Sequence, residues 1–347
     1  MLDDNNVIGH RDASGALGVA AEQYAQAKFA VSVTHGENDG RHINRIVVAG
    51  MGGSALAALL VKSWMAHEID VPIDVVRTYD LPAYVDANTL VIASSYSGNT
   101  EETISCLLQA RERNAQIGII ASGGALEEAA NQHEIAFVQL PMGLQPRMAV
   151  IYNLRALTAL LAHFGVTNFE YFAEIAETAD WLHEQSSAWT SDITTDKNYA
   201  KQLALQLVGK TPVFYAGPIM APVAYKWKIS LNETSKNLAF WNEYPEFNHN
   251  EFMGWTSHPI EKPFVIIDLI SQFEHPQVLK RFEISDRLLS GRRPKANVIN
   301  LQGRTVIEQM LCGSVLADFV SMYVAILNGV DPTPVDLIEK LKVELVK

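Results

Sequence analysis

The chain has 347 residues, 48% of them hydrophobic, more than one ordinary core takes up, so two domains are expected. With 27 basic against 39 acidic residues the net charge is -12, and the densest basic run, Arg292-Arg293-Pro294-Lys295, is too small to engage nucleic acid. A small anionic substrate remains admissible, because clustered backbone N–H groups capture phosphate whatever the global charge.

Two cysteines, Cys106 and Cys312, each within an apolar helical run, indicate neither a disulfide framework nor a cysteine zinc site and read as core thiols in a reducing compartment. The start, Met-Leu-Asp-Asp-Asn-Asn, lacks the regions of a signal peptide, and no uninterrupted apolar run reaches membrane-spanning length. A cytoplasmic protein without a membrane partner is expected.

In chain order, the pattern predicts an amphipathic helix over 14–33 and a turn over 36–40. A short strand at 46–49 runs into Gly50-Met51-Gly52-Gly53-Ser54 and a small-residue helix over 55–65. Strands follow at 73–77, 89–94, 116–121 and 135–140, with helices from about 99 and 125. Strands alternating with helices mean a parallel sheet covered on both faces. Residues 149–185 read as helical and connecting. A second alternating set then comprises helix 199–207, strand 212–216, helix 221–231, strand 263–269, helix 278–289, strand 297–300 and a long apolar helix over 307–327. Asp331-Pro332-Thr333-Pro334 leads into a last helix over 335–346. Similar element order suggests two related halves, with no residue-level repeat to prove it.

Gly50-Met51-Gly52-Gly53-Ser54-Ala55 joins a strand to a helix, and its glycines let backbone N–H groups approach an anion at the helix's positive end. The same run satisfies a dinucleotide fingerprint, but the next strand ends on Arg77 where a ribose would want an acid, which would suit only a 2′-phosphate. Ser94-Ser95-Tyr96-Ser97-Gly98-Asn99-Thr100-Glu101-Glu102 follows a later strand. Ser95, Ser97 and Thr100 offer short hydroxyls to a phosphate, and Gly98 turns the loop at a helix start. Simple capping, with Asn99 as N-cap and Glu102 three residues on, explains two of these residues and leaves three hydroxyls and a glycine unexplained. Arg147 either adds charge at such a pocket or is a solvated loop arginine.

The pairing of Gly-Met-Gly-Gly-Ser with Ser-Tyr-Ser-Gly-Asn-Thr-Glu-Glu-Thr resembles the phosphosugar pocket of the sugar-isomerase (SIS) fold. Asn232-Glu233-x-x-Lys236 and Pro245-Glu246-x-Asn248-His249-Asn250-Glu251 resemble the bifunctional phosphoglucose/phosphomannose isomerases, and the resemblance runs from about residue 41 to the end. It implies an α/β fold of two SIS-type subdomains, each a parallel sheet flanked by helices in a three-layer αβα sandwich. The expected boundaries are an N-terminal helical arm over 1–40, a phosphate-binding domain over 41–165, a helical connector over 166–195, a catalytic domain over 196–330 and a C-terminal helix over 331–347. The resemblance further implies substrate contacts from Gly52, Gly53, Ser54, Ser95, Ser97, Thr100 and Arg147, a proton-shuttling Glu233 and a ring-opening His249. In the tail it matches Thr333 to a position where glucose-specialised relatives carry glutamine, and Lys340 to an active-site lysine, with Lys342 close by.

The chemistry is consistent from the residues upward. Aldose–ketose interconversion moves one proton between C1 and C2, so a single carboxylate over the enediol plane serves both transfers, and Glu233 fits; pairing with Lys236 on the helix surface is the competing reading. His249 lies 249 - 233 = 16 residues on, beyond Pro245, and approaches from another direction. A histidine can donate to a ring oxygen and accept from a hydroxyl, though a lone histidine can equally be structural. By the resemblance it reaches a neighbouring subunit's site in a homodimer. Glu246, His249 and Glu251 lack zinc-ligand spacing, so neither a metal nor a cofactor is expected, unlike the unrelated cupin-type mannose-6-phosphate isomerases. Phe240, Trp241, Tyr244 and Trp255 read as core or dimer interface. Thr333 would leave room for either C2 configuration. The expected function is cofactor-independent interconversion of glucose 6-phosphate and/or mannose 6-phosphate with fructose 6-phosphate through a cis-enediol. Alternatives are a phosphosugar-binding regulatory SIS protein, for which the acidic N-terminus offers no basic recognition helix, and a dehydrogenase.

Overall fold

The computed structural model describes residues 1–36, 38–257 and 263–345. They form two compact units, one made of Gln23–Leu182 with Val306–Glu308, the other of Met1–Glu22, His183–Thr305 and Gln309–Lys347.

The N-terminal stretch departs from the expected single helix over 14–33. It consists of α1 (Asn5–Arg11), α2 (Ala16–Ala21) and α3 (Gln23–Gln26), then a two-residue strand β1 (Val33–Thr34). The cause is local: the Asp12 carboxylate accepts from Ala16 N at 2.8 Å and Leu17 N at 2.9 Å, starting a new helix after Gly15. Residue 37 of the expected turn lies outside the described residues.

The first sheet then alternates strand and helix: β2 (Arg45–Ala49), α4 (Gly52–Trp64), β3 (Ile73–Val76), β4 (Thr89–Ser94), α5 (Glu101–Glu112), β5 (Gln116–Ala121), α6 (Gly124–His133) and β6 (Ala136–Gln139). Its order is β1-β6-β5-β4-β2-β3, parallel except for β1, which pairs antiparallel with β6. Every residue of β4 is buried, the signature of a central parallel strand covered on both faces. Val47, Val91, Ile119 and Phe137 share one core cluster with Cys106, Leu107 and Leu126. The connecting region holds α7 (Val150–His163), α8 (Glu170–Glu177) and α9 (Ala179–Ser187).

The second sheet is built from α10 (Tyr199–Leu207), β7 (Thr211–Ala216), α11 (Ala221–Thr234), β8 (Phe240–Glu243), a short α12 (Glu251–Gly254), β9 (Phe264–Ile270), α13 (Pro276–Leu288) and β10 (Asn297–Asn300). Its order is β10-β9-β7-β8, all parallel. Strand β8 falls in the polar stretch after Glu233, where alternation is masked by Asn and Glu. The long helix α14 (Val306–Asn328) has the length and hydropathy to cross a membrane despite Glu308 and Asp318, but 94% of its apolar window is buried in the protein. The tail helix is α15 (Asp336–Leu345); residue 346 of the expected helix lies outside the described residues.

Strand alternation sends Phe214 to one face of the second sheet and Val213 and Tyr215 to the other. Phe214 meets Trp227 of α11 with ring centroids 5.2 Å apart, whereas Val213 and Tyr215 share a core with Val278 and Phe282 of α13. Helices α11 and α13 therefore cover opposite faces. A buried ion pair fixes α11 against α14: Lys226 Nζ lies 2.6 Å from Asp318 Oδ1, which also accepts from Ser230 Oγ at 2.9 Å. Removing one partner strands the other charge. Lys226→Met is expected to cost about 3–5 kcal/mol in denaturant unfolding, and adding Asp318→Leu to recover most of it; a single variant as stable as the native chain would contradict this.

Candidate active site

Strands β2 and β4 are neighbours, yet the chain proceeds from β2 outward to β3 and from β4 the other way to β5. Such a reversal opens a crevice beyond the carboxyl ends of the two strands, the usual ligand position in open α/β sheets. Both glycine- and serine-bearing loops of the sequence end there.

The first loop enters α4 at Gly52, whose φ is +50°, and the helix start has no side-chain cap. Ser54 is buried, its Oγ accepting from Tyr96 N at 3.0 Å, which ties the two loops together. A Cβ on Gly53 would lie 2.6 Å from the Pro146 carbonyl oxygen, so only glycine permits this approach. That contact brings in the 3-10 turn Pro146–Met148, and with it Arg147. Arg147 is buried and donates from Nη1 to Gln145 Oε1 at 3.4 Å, so it is not a solvated loop arginine.

In the second loop Ser95 is buried and its Oγ lies 2.7 Å from Thr100 Oγ1. Ser97 is exposed, and its Oγ accepts from Asn99 N at 3.4 Å. Gly98 has φ +72°, and a Cβ there would sit 1.7 Å from the Gly123 carbonyl oxygen. The capping reading of Asn99 and Glu102 does not hold. Helix α5 begins at Glu101 after Thr100, with no side-chain cap bond, and Asn99 Oδ1 instead accepts from Ala125 N at 3.0 Å. Asn99 anchors the loop to α6 and leaves the α5 N-terminus open. The loops that carry Gly52, Gly53, Ser54, Ser95, Ser97, Thr100 and Arg147 thus meet beside two helix starts without side-chain caps. Such N–H groups and hydroxyls suit a phosphate.

The remaining expected residues lie in the other unit. Glu233 sits in the last turn of α11, half-buried. The segment following it meets the tail: Lys236 Nζ donates to the carbonyls of Thr234 at 3.1 Å and Asp331 at 2.6 Å, and Asn328 Nδ2 donates to the Ser235 carbonyl at 3.2 Å. Thr333 N donates to Asp331 Oδ1 at 2.8 Å, so the turn bearing Thr333 is held near the end of α11. Lys340 is exposed on α15, a helix whose residues are all exposed, and Lys342 there pairs with Glu339 at 2.8 Å. His249 is exposed at the end of a 3-10 turn, Glu246–His249, after the cis Tyr244-Pro245 bond. Its neighbour Asn248 donates to Ser285 Oγ at 2.8 Å and accepts from Arg281 at 3.1 Å, both on α13. His249 and Glu233 therefore belong to opposite faces of one sheet. Among the aromatics, Tyr244 and Trp255 are buried, Trp241 meets the Tyr225 ring at 5.6 Å and Phe240 is exposed.

Three acidic residues escaped the sequence reading. Burial, reinforced by Glu246, raises the Glu243 carboxyl. Glu274, in the loop after β9, is buried and raised to about 7 by that burial against hydrogen bonds from the backbone. Asp268 lies within β9, where a carboxyl reads as a surface residue, and is also raised to about 7 by burial, partly offset by Arg293. Arg293, part of the densest basic run, is itself buried, its Nη2 3.9 Å from Asp286 Oδ1. The available signal was a carboxylate inside or just after an apolar strand.

Comparison with known proteins bears on this geometry. Residues 41–160 match the SIS domain, and residues 196–345 match the bacterial phospho-glucose isomerase C-terminal SIS domain. A bifunctional phosphoglucose/phosphomannose isomerase of Caldicellulosiruptor bescii is 37% identical over 305 residues, covering 87% of this chain and 90% of the relative. The enzyme of the same description from Aquifex aeolicus is 33% identical, with the same coverage. A solved glucose-6-phosphate isomerase like protein from Thermus thermophilus shares the fold, with a TM-score of 0.66, 18% identity and 98% of each chain covered. The protein is thus one of the double-SIS, phosphosugar-isomerase class. Within that class the chain belongs to the bifunctional phosphoglucose/phosphomannose isomerase family.

The buried carboxyls set a pH dependence. A carboxyl with a raised native pKa holds its proton more tightly when folded, so its contribution to stability is complete below the unfolded value and is lost as pH rises through the folded one. For Asp268 that window runs from about 4 to about 7. Asp268→Asn is expected to flatten part of the fall in unfolding free energy across it, with Glu274 supplying a remainder. Parallel curves for the two proteins would count against the assignment.

Proposed function

We propose that the chain is a cofactor-independent aldose–ketose isomerase that interconverts glucose 6-phosphate and mannose 6-phosphate with fructose 6-phosphate. The observation that carries this reading is the crevice of the first sheet, where Ser54, Ser95 and Thr100 meet two helix starts without side-chain caps in a chain of this family. In this reading Ser97 and Arg147 complete the phosphate contacts, with the N–H groups of Gly52 and Gly53, and the sugar is held open-chain by its phosphate end.

Glu233 takes the proton from C2 of the aldose and returns it to C1, while a hydroxyl proton passes from O2 to O1, so a cis-enediol is the intermediate and no oxidant is needed. His249 opens the ring, donating to the ring oxygen and accepting from the C1 hydroxyl. The separation of His249 and Glu233 on opposite faces of one sheet supports a homodimer in which His249 serves a neighbouring subunit's site. Thr333, in the turn tied to the end of α11, faces the choice of C2 epimer, and Lys340 of the tail helix steadies the enediolate. A cytoplasmic setting accords with a substrate whose phosphate keeps it from crossing membranes.

A coupled assay with chelator present tests the activity directly: both aldoses should yield fructose 6-phosphate, and conversion of neither would end this reading. Glu233→Gln should lower kcat roughly 10²–10⁴-fold with native unfolding behaviour. His249→Ala is expected to slow cyclic substrate more than ring-opened substrate in stopped-flow; equal losses would remove it from ring opening.

A further inference from the structure

The two sheets repeat one plan. Orders β5-β4-β2-β3 and β10-β9-β7-β8 correspond strand for strand, with α4 leaving the central strand of the first and α11 that of the second. Each plan therefore contains a crevice beyond its central strand. In the first it is bordered by the serine hydroxyls. In the second it is filled from within by Glu274.

Glu274 is 4% exposed. Its Oε1 accepts from Met220 N at 3.1 Å, and its carboxyl also accepts from Ile219 N. These are the residues just ahead of α11, a 14-residue helix whose N-cap, Met220, forms no side-chain cap bond of its own. Below lies Gly217, where a Cβ would come within 2.3–2.6 Å of the Glu274 carboxyl atoms, so the strand end is shaped around that group. The charged group facing it is Glu243, at the end of β8, a like charge. What favours the carboxylate, against the burial that raises it, is the backbone N–H pair and the positive end of α11.

We propose that Glu274 is a positioning residue for the isomerase reaction, an internal carboxylate that holds the N-terminus of α11 as the substrate phosphate is held in the first sheet, and so sets where α11 presents Glu233. This rests on the reading of Glu233 as the base. Helix α11 is a rod of about 21 Å at 1.5 Å per residue, so a shift at one end is carried to the other. Misplacement by about 1 Å at a reacting centre costs on the order of 10²-fold in rate. Lys226 and Asp318 brace the middle of the same helix, which limits sideways movement.

Chemical rescue separates an anion requirement from mere packing. Glu274→Ala should lose about tenfold or more in kcat while KM for fructose 6-phosphate and inhibition by inorganic phosphate change by less than about twofold, because the phosphate crevice is untouched. Sodium formate, and not sodium chloride, should restore part of that kcat and leave the native enzyme unaffected. Glu274→Gln, nearly isosteric, should show the same kcat loss without rescue. Wild-type kcat in both variants, or a well-folded Glu274→Ala that formate does not improve, would overturn the proposal. Should Glu274→Ala fold only in formate, that supports it; failure in both salts, with an active Glu274→Gln, sinks it. Glu233→Gln is measured alongside: full activity there discards the base assignment and leaves the formate result to stand on its own.

Discussion

Backbone approaches backbone at the carboxyl end of the first sheet more closely than any side chain would allow, and the candidate phosphate crevice depends on it. Gly53 faces the Pro146 carbonyl and Gly98 the Gly123 carbonyl at distances where a Cβ cannot stand. Those contacts draw the β2 loop, the β4 loop, the start of α6 and the Arg147 turn into one cluster. Had any one been held off by a methyl group, these loops would not meet as closely as they do. Asn99 shows the same economy. Its side chain fastens the loop to α6 and leaves the helix start of α5 with its N–H groups available.

The second sheet solves a related problem with a different group. An open crevice beside a helix start favours negative charge. In the first sheet hydroxyls and glycines leave room for a charge from outside, while in the second Glu274 supplies one from the chain. The consequence is a rigid mounting for α11: a carboxylate at its N-terminus, the Lys226–Asp318 pair in its middle and the Lys236 and Asn328 contacts just beyond its C-terminus. Buried ion pairs gain little net stability, but they penalise every arrangement that separates them. A helix proposed to present Glu233 to the substrate is a sensible place for such a device.

Opposite-face packing gives the polar stretch after Glu233 its meaning. In sequence, Glu233 and His249 stand 16 residues apart with Pro245 between them, and His249 is expected to approach from another direction. In the fold the chain passes along edge strand β8, and the 3-10 turn bearing His249 is held to α13 through Asn248. Exposure of His249 beside that anchored neighbour is the arrangement expected of a side chain offered outward.

The sequence by itself determined the element order, most strand limits and the two loop motifs, because period-two and period-3.6 patterns and glycine punctuation are written locally. Strands β4, β5 and β10 and helix α10 stand where the pattern put them. It misjudged the stretch over 14–33, where a single carboxylate, Asp12, restarts the helix, and it missed β8, whose alternation is masked by Asn and Glu. It also offered Asn99 as a cap and left Arg147 undecided, since the first depends on an amide 26 residues on, at Ala125, and the second on the close approach of Pro146 to Gly53. Only the tertiary structure decided that Arg147 is buried, that Glu274 accepts from the backbone just ahead of α11, and that Glu233 and His249 are carried on opposite faces. The physical reason is common to all three: burial and helix-end charge belong to the assembled sheet, and no local spacing encodes which backbone amides a distant carboxylate will meet.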